Sequence, residues 1–349
     1  MLRQLLRRFR YDLAIDLGTA NTVISLPGEG TVLNEPSVVA VDQRTNRVLS
    51  GGCAVGYLAR QMEGRTPGSI HVVRPLRGGV VTDYELCESM LRYFLDKARR
   101  AAWTLRPRVL VAAPETITPV EKRALYNSMQ RAGARQVLLV AEAKAAALGV
   151  GLPVHEPVAS MVCDIGGGTT EVAVMSLGDV VASQSIRVGG DAMDQAVVDY
   201  LRRHYCLRIG LAAAEQLRIH AGSAYPLEHE RSEEVRGVDL VSGLPRRAVV
   251  TSEEVREALA EPLDQIINAI KQTIDGCPPD LAADLVDHGL VLCGGGALVR
   301  QIDRLITEQT GLPAHVAQGS MLAVAQGTQI FLEHLPEWRS TLESSDDDV

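Results

Sequence analysis

The spacing of apolar and polar positions changes repeatedly along the chain, and the changes fall into two similar stretches. In "LAIDLGTANTVISL", residues 13–26, two short apolar runs flank a small polar turn. That pattern predicts a hairpin with strands over 11–16 and 21–26. "TVLNEPSVVAV" supplies a third strand region, interrupted at Asn34-Glu35-Pro36. A stretch rich in turn residues, Asp42 to Pro75, reads as a small insertion. The period then becomes helical. Leu86, Met90, Phe94 and Ala98 share one face, and Thr82 with Glu85 reads as a capping box. "RVLVAAP" is a buried strand. The helix after it takes Thr118 as N-cap, Pro119 at its first position and Glu121 at N3, and stops at Gly133. "QVLLVAE" is another strand, running into the helix "EAKAAALGVG". A meander followed by alternating strands and helices predicts an α/β protein.

After Val158 the order restarts. Strands over 160–164, 170–176 and 179–188 form a second meander, and a helix opens at "GGDAMDQAVVDYLRRHY". A helical segment 211–222, a polar excursion 224–250 and a helix 252–274 capped by Thr251 with Glu254 follow. "GLVLCGGGA" leads from a strand through a glycine turn into a helix. Each half therefore opens on a meander with an Asp–Gly–Thr turn and takes an insertion, the mark of a domain duplication and not of a short solenoid. The predicted division has a first core of 1–41, 76–156 and 325–349 with insertion 42–75, and a second core of 157–190 and 252–324 with insertion 191–251. A length of 349 residues agrees with more than one core.

Composition narrows the class. Hydrophobic residues at 46% and charged residues at 22% suit a soluble globular protein. A net charge of -8 offers no broad basic field to phosphates, so nucleic acid is not an expected partner. The six cysteines (Cys53, Cys87, Cys163, Cys206, Cys277 and Cys293) show no CxxC spacing and read as reduced thiols of a cytosolic protein. No apolar run approaches the length of a membrane span. "MLRQLLRRFRYD" is different. Leu2, Leu5, Leu6 and Phe9 share one helical face and Arg3, Arg7, Arg8 and Arg10 the other. Helix 2–10 reads either as an amphipathic anchor lying on an anionic membrane or as a solvated N-terminal turn. In "RRAAWTLRP", Trp103 and Leu105 flanked by Arg99, Arg100, Arg106 and Arg108 read either as a second membrane contact or as core packing. The acidic end, 343–349, reads as a disordered tail.

The two turns carry the candidate chemistry. Asp16 is followed by Gly18, Thr19, Ala20 and Asn21, and Asp164 by Gly166, Gly167, Gly168, Thr169 and Thr170. Glycines let backbone N–H groups form an anion-binding concavity, threonines add hydroxyl donors, and a carboxylate beside them suits a hydrated divalent cation. A single such turn reads equally as a plain hairpin; the repetition is what points to phosphate. Gly294, Gly295 and Gly296 form a third cluster, read either as tight strand–helix packing or as bare backbone for a flat ring. GxxxxGK[ST], HExxH and GxSxG are absent, and the eight histidines form no cluster at metal-ligand spacing.

"IDLGTANTVIS", "VLNEPSVVAV", "GRTPGSI", "RPLRGGVV", "DIGGGTTEVAVMSLG", "SIRVGGDAMD", "GSAYP", "EVREALAEP" and "GLVLCGGGAL" together resemble the MreB family of bacterial actins, over residues 1 to about 335. The resemblance implies a duplicated actin-like, ribonuclease H-like ATPase fold, with ATP and Mg²⁺ in a cleft between two halves. It implies a first phosphate loop at Asp16, Gly18, Thr19, Ala20 and Asn21 and a second from Asp164 to Thr169. Asp16 and Asp164 would sit near Mg²⁺ through water. Gly294, Gly295, Gly296 and Ala297 would flank the adenosine. Glu215 and Arg218 match a Glu-x-x-Lys pair that grips the nucleoside. Glu142 falls on the residue that orients the attacking water, with Asp164 and Thr169 as its catalytic neighbours.

Where MreB-like chains usually read Glu-Glu-Pro-Met-Ala-Ala-Ala, this one reads Ala141-Glu142-Ala143-Lys144-Ala145-Ala146-Ala147. The missing proline is expected to loosen where Glu142 points, and hydrolysis is expected to be slow. Lys144 reads either as a solvated lysine or as a poor partner two residues from Glu142. Helix 2–10 also resembles the membrane anchor that many family members carry, and MreB-like proteins can insert an apolar loop where Trp103 and Leu105 lie.

The implied function is a cytoplasmic ATPase that polymerises head to tail into paired antiparallel protofilaments on the inner face of the cell membrane. It would organise wall synthesis and cell shape with membrane proteins of the MreC, MreD and RodZ type. The alternatives are a filament subunit that binds nucleotide without hydrolysing it, a small-molecule kinase of the same superfamily, and an Hsp70-like chaperone. The last lacks room for a peptide-binding domain, and no stretch supplies a sugar pocket.

Overall fold

A computed structural model of the protein describes residues 12–98, 106–338 and 342–344. The face of Leu2, Leu5, Leu6 and Phe9, the Trp103 and Leu105 loop and residues 345–349 lie outside the described residues. The chain forms two compact units, one running to Leu152 and again from Met321, the other Pro153–Ser320. Both divisions fall a few residues before the predicted ones.

The first unit opens on an antiparallel meander, β1 (Asp12–Leu17), β2 (Asn21–Leu26) and β3 (Gly30–Pro36). The expected insertion is a small layer in which β4 (Val39–Asp42) pairs with β5 (Ile70–Val73) over Val38, Ala40, Ala54 and Ala59. The two-residue strands β6 (Leu76–Arg77) and β7 (Val80–Val81) make a tight hairpin. β8 (Arg108–Ala113) then joins β1 in parallel, and β9 (Gln136–Ala141) joins β8. Parallel neighbours require crossovers, supplied by α1 (Tyr84–Ala98) and α2 (Pro119–Ala132). Their buried faces, including Met90, Phe94 and Met129, cover Val109, Val111 and Val137. α3 (Glu142–Gly149) leaves the end of β9.

Three expectations in this unit change. Asp83, not Thr82, caps α1: its Oδ1 accepts the Leu86 N–H at 3.0 Å, while the Thr82 hydroxyl donates to the Pro75 carbonyl. The helix begins at Tyr84, so Asp83 holds the preceding position from which a short side chain reaches back. Arg108, read among the cations of a membrane loop, forks onto Asp12 at 3.2 and 2.5 Å across the β1–β8 register. Glu343–Ser344, placed in a disordered tail, pair antiparallel with Leu139 and Leu138 and extend the sheet beyond β9. Sheet-edge hydrogen bonding sets that pairing, and composition carries no sign of it.

The second unit repeats the plan. β10 (Ser160–Ile165), β11 (Thr170–Ser176) and β12 (Asp179–Ile186) form the meander. α4 (Gly190–Tyr205) follows, then β13 (Leu207–Arg208) and α5 (Leu211–Ala221). The polar excursion contains an antiparallel hairpin, β14 (Ser232–Asp239) and β15 (Pro245–Thr251), that the sequence pattern did not predict. In it only Val235 and Val250 are buried, so no alternating apolar run marks it. α6 (Ser252–Asp275) starts on the expected Thr251–Glu254 capping box, as α2 does on Thr118–Glu121. α7 (Pro279–His288) leads to β16 (Leu290–Cys293), parallel to β10, and α8 (Ile302–Thr310) to β17 (Ala314–Val316) at the sheet edge.

The chain returns to the first unit in α9 (Ala323–Glu333), which packs on α3 through small residues. An ideal Cβ on Gly149 would stand 1.8 Å from the Ala323 carbonyl oxygen, and one on Gly327 would stand 1.7 Å from that of Ala145. Two helices reach backbone contact only where side chains are absent.

Candidate functional site

In the first unit Asp16 lies at the centre of the sheet, opposite Val23 in β2 and Ala112 in β8. The turn after it is held by Ser37. The Ser37 hydroxyl donates to the Gly18 carbonyl at 2.7 Å and shares a 2.9 Å hydrogen bond with the Thr22 hydroxyl; the Ser37 N–H donates to the Ala20 carbonyl at 2.9 Å. Gly18 cannot be larger, since its Cβ would meet the Asn21 carbonyl oxygen at 2.8 Å. Thr19 is buried, and its hydroxyl oxygen accepts the Gly79 N–H at 3.0 Å. A hydroxyl that accepts still has its own proton to give, so Thr19 keeps a donor while its oxygen fixes it against the β6–β7 hairpin.

In the second unit the Gly166 N–H donates to the Thr169 carbonyl at 2.8 Å and closes the turn. The first amides of α4 fasten it: Gly190 N–H donates to the Gly166 carbonyl at 3.0 Å and Asp191 N–H to that of Gly167 at 2.7 Å. Carbonyls drawn toward a helix N-terminus leave the turn's amides for the opposite side, as an anion site requires. Gly189 makes the approach possible, because a Cβ there would stand 2.6 Å from the Gly166 carbonyl oxygen. Thr169 is buried in the turn. The Thr170 hydroxyl instead donates to the Val188 carbonyl at 2.7 Å, which removes it from the candidate phosphate donors.

Asp164 is 4% exposed. Burial pushes its carboxyl up to about 6, against a hydrogen bond from the Cys293 thiol that pulls the other way. A nearby positive charge would favour the ionised form of a carboxylate so short of solvent.

The third glycine cluster divides between its two readings. Gly294, at φ +82°, would carry a Cβ 2.3 Å from the Ile165 carbonyl oxygen and 2.4 Å from Asp164 Oδ1. Gly296 would carry one 2.3 Å from Ile165 Cγ2. Both are glycine for packing. Around Gly295 a Cβ meets nothing within 4 Å, so packing does not explain it. Ala297 is buried behind the cluster.

Glu215 and Arg218 lie one turn apart on α5. Arg218 is buried and forks onto Asp194 of α4, Nε to Oδ1 at 2.6 Å and Nη2 to Oδ2 at 3.3 Å. The guanidinium is thus spent largely on joining two helices; Glu215 stays half-buried nearby. Glu142 is half-buried at the first position of α3, after Ala141, which provides no side-chain cap. Lys144 is half-buried and engaged, not a free solvated lysine. The close approaches of Gly149 to Ala323 and of Gly327 to Ala145 pack this helix against α9.

Residues 10–340 match the family described as MreB/Mbl protein. The chain belongs to the MreB/Mbl family. It is 49% identical over 328 residues to the cell shape-determining protein MreB of Escherichia coli strain K12, covering 94% of each chain. It is 44% identical over 327 residues to the cell shape-determining protein Mbl of Bacillus subtilis strain 168, covering 94% of this chain and 97% of the relative. The crystal structure of MreB5 of Spiroplasma citri bound to AMPPNP superimposes with a TM-score of 0.88 at 37% identity, covering 95% of this chain and 98% of that one. The MamK double helical filament, at 20% identity and a TM-score of 0.78, matches in fold. The fold is the duplicated actin-like α/β fold that the sequence motifs implied.

Sequence reasoning missed Ser37 and Gly79, which brace the turn of the first unit in this MreB/Mbl chain, and Gly189, Gly190 and Asp194 of the second unit. Their signal was present. Each lies in a stretch that carried the resemblance, "NEPS", "RGGVV" or "RVGGDAMD", but four of them work by contact with a turn elsewhere in the chain and Asp194 by its fork with Arg218 of α5.

Proposed function

We propose that this chain is a nucleotide-binding, filament-forming cell-shape protein that binds ATP with Mg²⁺ and hydrolyses it slowly. The observation that carries the reading is the second turn. Asp164, Gly166 and Gly167 are fixed to β16 and α4 in a form that leaves the amides of Gly167 and Gly168 for an anion beside a desolvated carboxylate. The solved relatives bound to AMPPNP and to ADP, at TM-scores of 0.88 and 0.89, support the same ligand class. Asp16, Gly18, Thr19, Ala20 and Asn21 supply further phosphate contacts, and Gly295 bare backbone beside the nucleoside. Glu142, at the open end of α3, orients the water. Bound Mg²⁺ would neutralise phosphate charge near Asp16 and Asp164.

The filament is built from head-to-tail copies, because a heterologous interface that does not close gives a polymer. Antiparallel pairing of protofilaments, attachment to the inner face of the membrane through Leu2, Leu5, Leu6 and Phe9, a second contact at Trp103 and Leu105, and partners of the MreC, MreD and RodZ type complete the reading. Many weakly bound copies on one filament give firm attachment.

The test is full-length protein mixed with Mg-ATP and anionic liposomes, then pelleted and imaged. Nucleotide-dependent filaments on the vesicles are expected, and soluble monomers would overturn the reading. Deleting residues 2–10 should sharply reduce vesicle pelleting; unchanged pelleting would remove the anchor. A second reading, binding without turnover, draws on Ala141 and Lys144 beside Glu142. Phosphate release decides it: Glu142→Ala should abolish a slow wild-type rate, and no wild-type rate favours the second reading.

A further inference from the structure

An open cavity of about 580 Å³ in the second unit is lined by His220, Arg231, Ser232, Glu233 and Arg300. None of these residues belongs to the two phosphate turns. Both arginines are anchored by their surroundings. The Arg231 backbone is clamped to the start of α6, its N–H donating to the Ser252 hydroxyl at 2.8 Å and its carbonyl accepting the Ser252 N–H at 2.8 Å. The preceding Glu230 is held by the Arg256 fork at 2.7 and 2.8 Å. Arg300 Nη1 donates to the carbonyls of Ile219 and Gly222 at the end of α5, at 2.8 and 3.1 Å. That leaves Nε and Nη2 of Arg300 without a protein acceptor among the described residues.

The charge here is unbalanced. Among the described residues no carboxylate pairs with Arg231 or Arg300. Glu233, the acidic group of the lining, stands 3.9 Å from the His220 imidazole. Partial burial and the neighbouring Arg231 charge both lower the proton affinity of Arg300, which places the two like charges near one another. Two guanidinium groups lining one cavity with no paired carboxylate among the described residues suit an oxyanion with several oxygens, because each planar fork can give two parallel N–H bonds.

We propose that this cavity binds a phosphate-type polyanion between Arg231 and Arg300, at a site separate from the two turns. Because Arg300 also grips the last carbonyls of α5, which carries Glu215 and Arg218, an anion there draws on the same side chain that fixes that helix end.

The test is calorimetric titration of the full chain with inorganic pyrophosphate, in the presence of excess Mg-ADP so that the turns are already occupied. Arg231→Gln should weaken pyrophosphate binding about tenfold or more, the loss of charge-assisted hydrogen bonds. Glu233→Gln should tighten it several-fold by removing the negative charge of the lining. Equal affinity in wild type and both variants, or no binding by wild type, would overturn the proposal. If Arg231→Gln fails to fold, the Glu233→Gln result decides alone. A parallel arm uses phosphatidylglycerol vesicles: reduced retention of Arg231→Gln assigns the anion to a lipid headgroup, and unchanged retention with weakened pyrophosphate binding assigns it to a soluble phosphate.

Discussion

The carbonyl oxygen of Ala145 occupies the space that a methyl on Gly327 would need, 1.7 Å from its ideal Cβ. The pair joins α9 to the helix that begins with Glu142. Gly327→Ala sets two effects against each other. Alanine in a helix interior gains roughly 1 kcal/mol over glycine, but a clash with a buried backbone carbonyl forces the helices apart at a cost of about 1–3 kcal/mol or more. The clash should win. Urea unfolding should show a lowered midpoint, and phosphate release should fall because Glu142 moves with α3. A midpoint at or above wild type would refute the close contact.

The glycine cluster separates packing from function. Gly294→Ala should disrupt folding, since the position combines φ +82° with a Cβ 2.3 Å from the Ile165 carbonyl oxygen. Gly295→Ala has open space and should leave stability within about 0.5 kcal/mol of wild type. Its nucleotide affinity, read with a fluorescent ATP analogue, should nonetheless drop about tenfold. Unchanged affinity would return Gly295 to an ordinary turn residue.

Asp164 gives a pH dependence of definite sign. Its folded carboxyl titrates at about 6 against an ordinary 3.8, because burial disfavours the charge. The folded state therefore binds the proton more tightly than the unfolded chain. This group's contribution is fully present below pH 3.8 and is lost as pH rises through about 6. The swing is on the order of 3 kcal/mol. Asp42, Glu230 and Glu254 are shifted down and slope the other way. The measurement is therefore the difference in unfolding free energy between wild type and Asp164→Asn, both nucleotide-free, from pH 4 to 8. The variant should gain on wild type as pH rises; a flat difference would contradict the assignment.

Arg218→Ala leaves the Asp194 carboxylate buried without its partner, which should cost about 3–5 kcal/mol. Arg218→Lys keeps the charge but loses the fork and should cost roughly 1 kcal/mol. Replacing both by apolar residues, Asp194→Leu with Arg218→Met, should recover most of the loss. If Arg218→Ala unfolds at the wild-type midpoint while its nucleotide affinity falls, the side chain serves the ligand more than the fold.

Much of this was legible in the chain. Apolar strands around Asp16 and Asp164, the helix period of Met90 and Phe94, and the boxes at Thr118 and Thr251 depend on neighbours a few residues away, and local periodicity reports such neighbours directly. The duplication was legible because it repeats. The β14–β15 hairpin was not, since a solvated ribbon needs no alternating apolar face. The pairing of Glu343–Ser344 was decided by an open sheet edge, and composition says nothing of edges.

The sequence by itself determined the element types, the two aspartate turns and the family. Only the tertiary structure decided which members of each motif are spent on holding the fold and which are left open. Thr170 is spent on Val188, Arg218 on Asp194, Gly294 and Gly296 on Ile165, while Gly295 stays open. The physical reason is that a hydrogen-bond donor or an absent side chain is defined by what stands within a few ångströms of it, and in each case that neighbour comes from a different element.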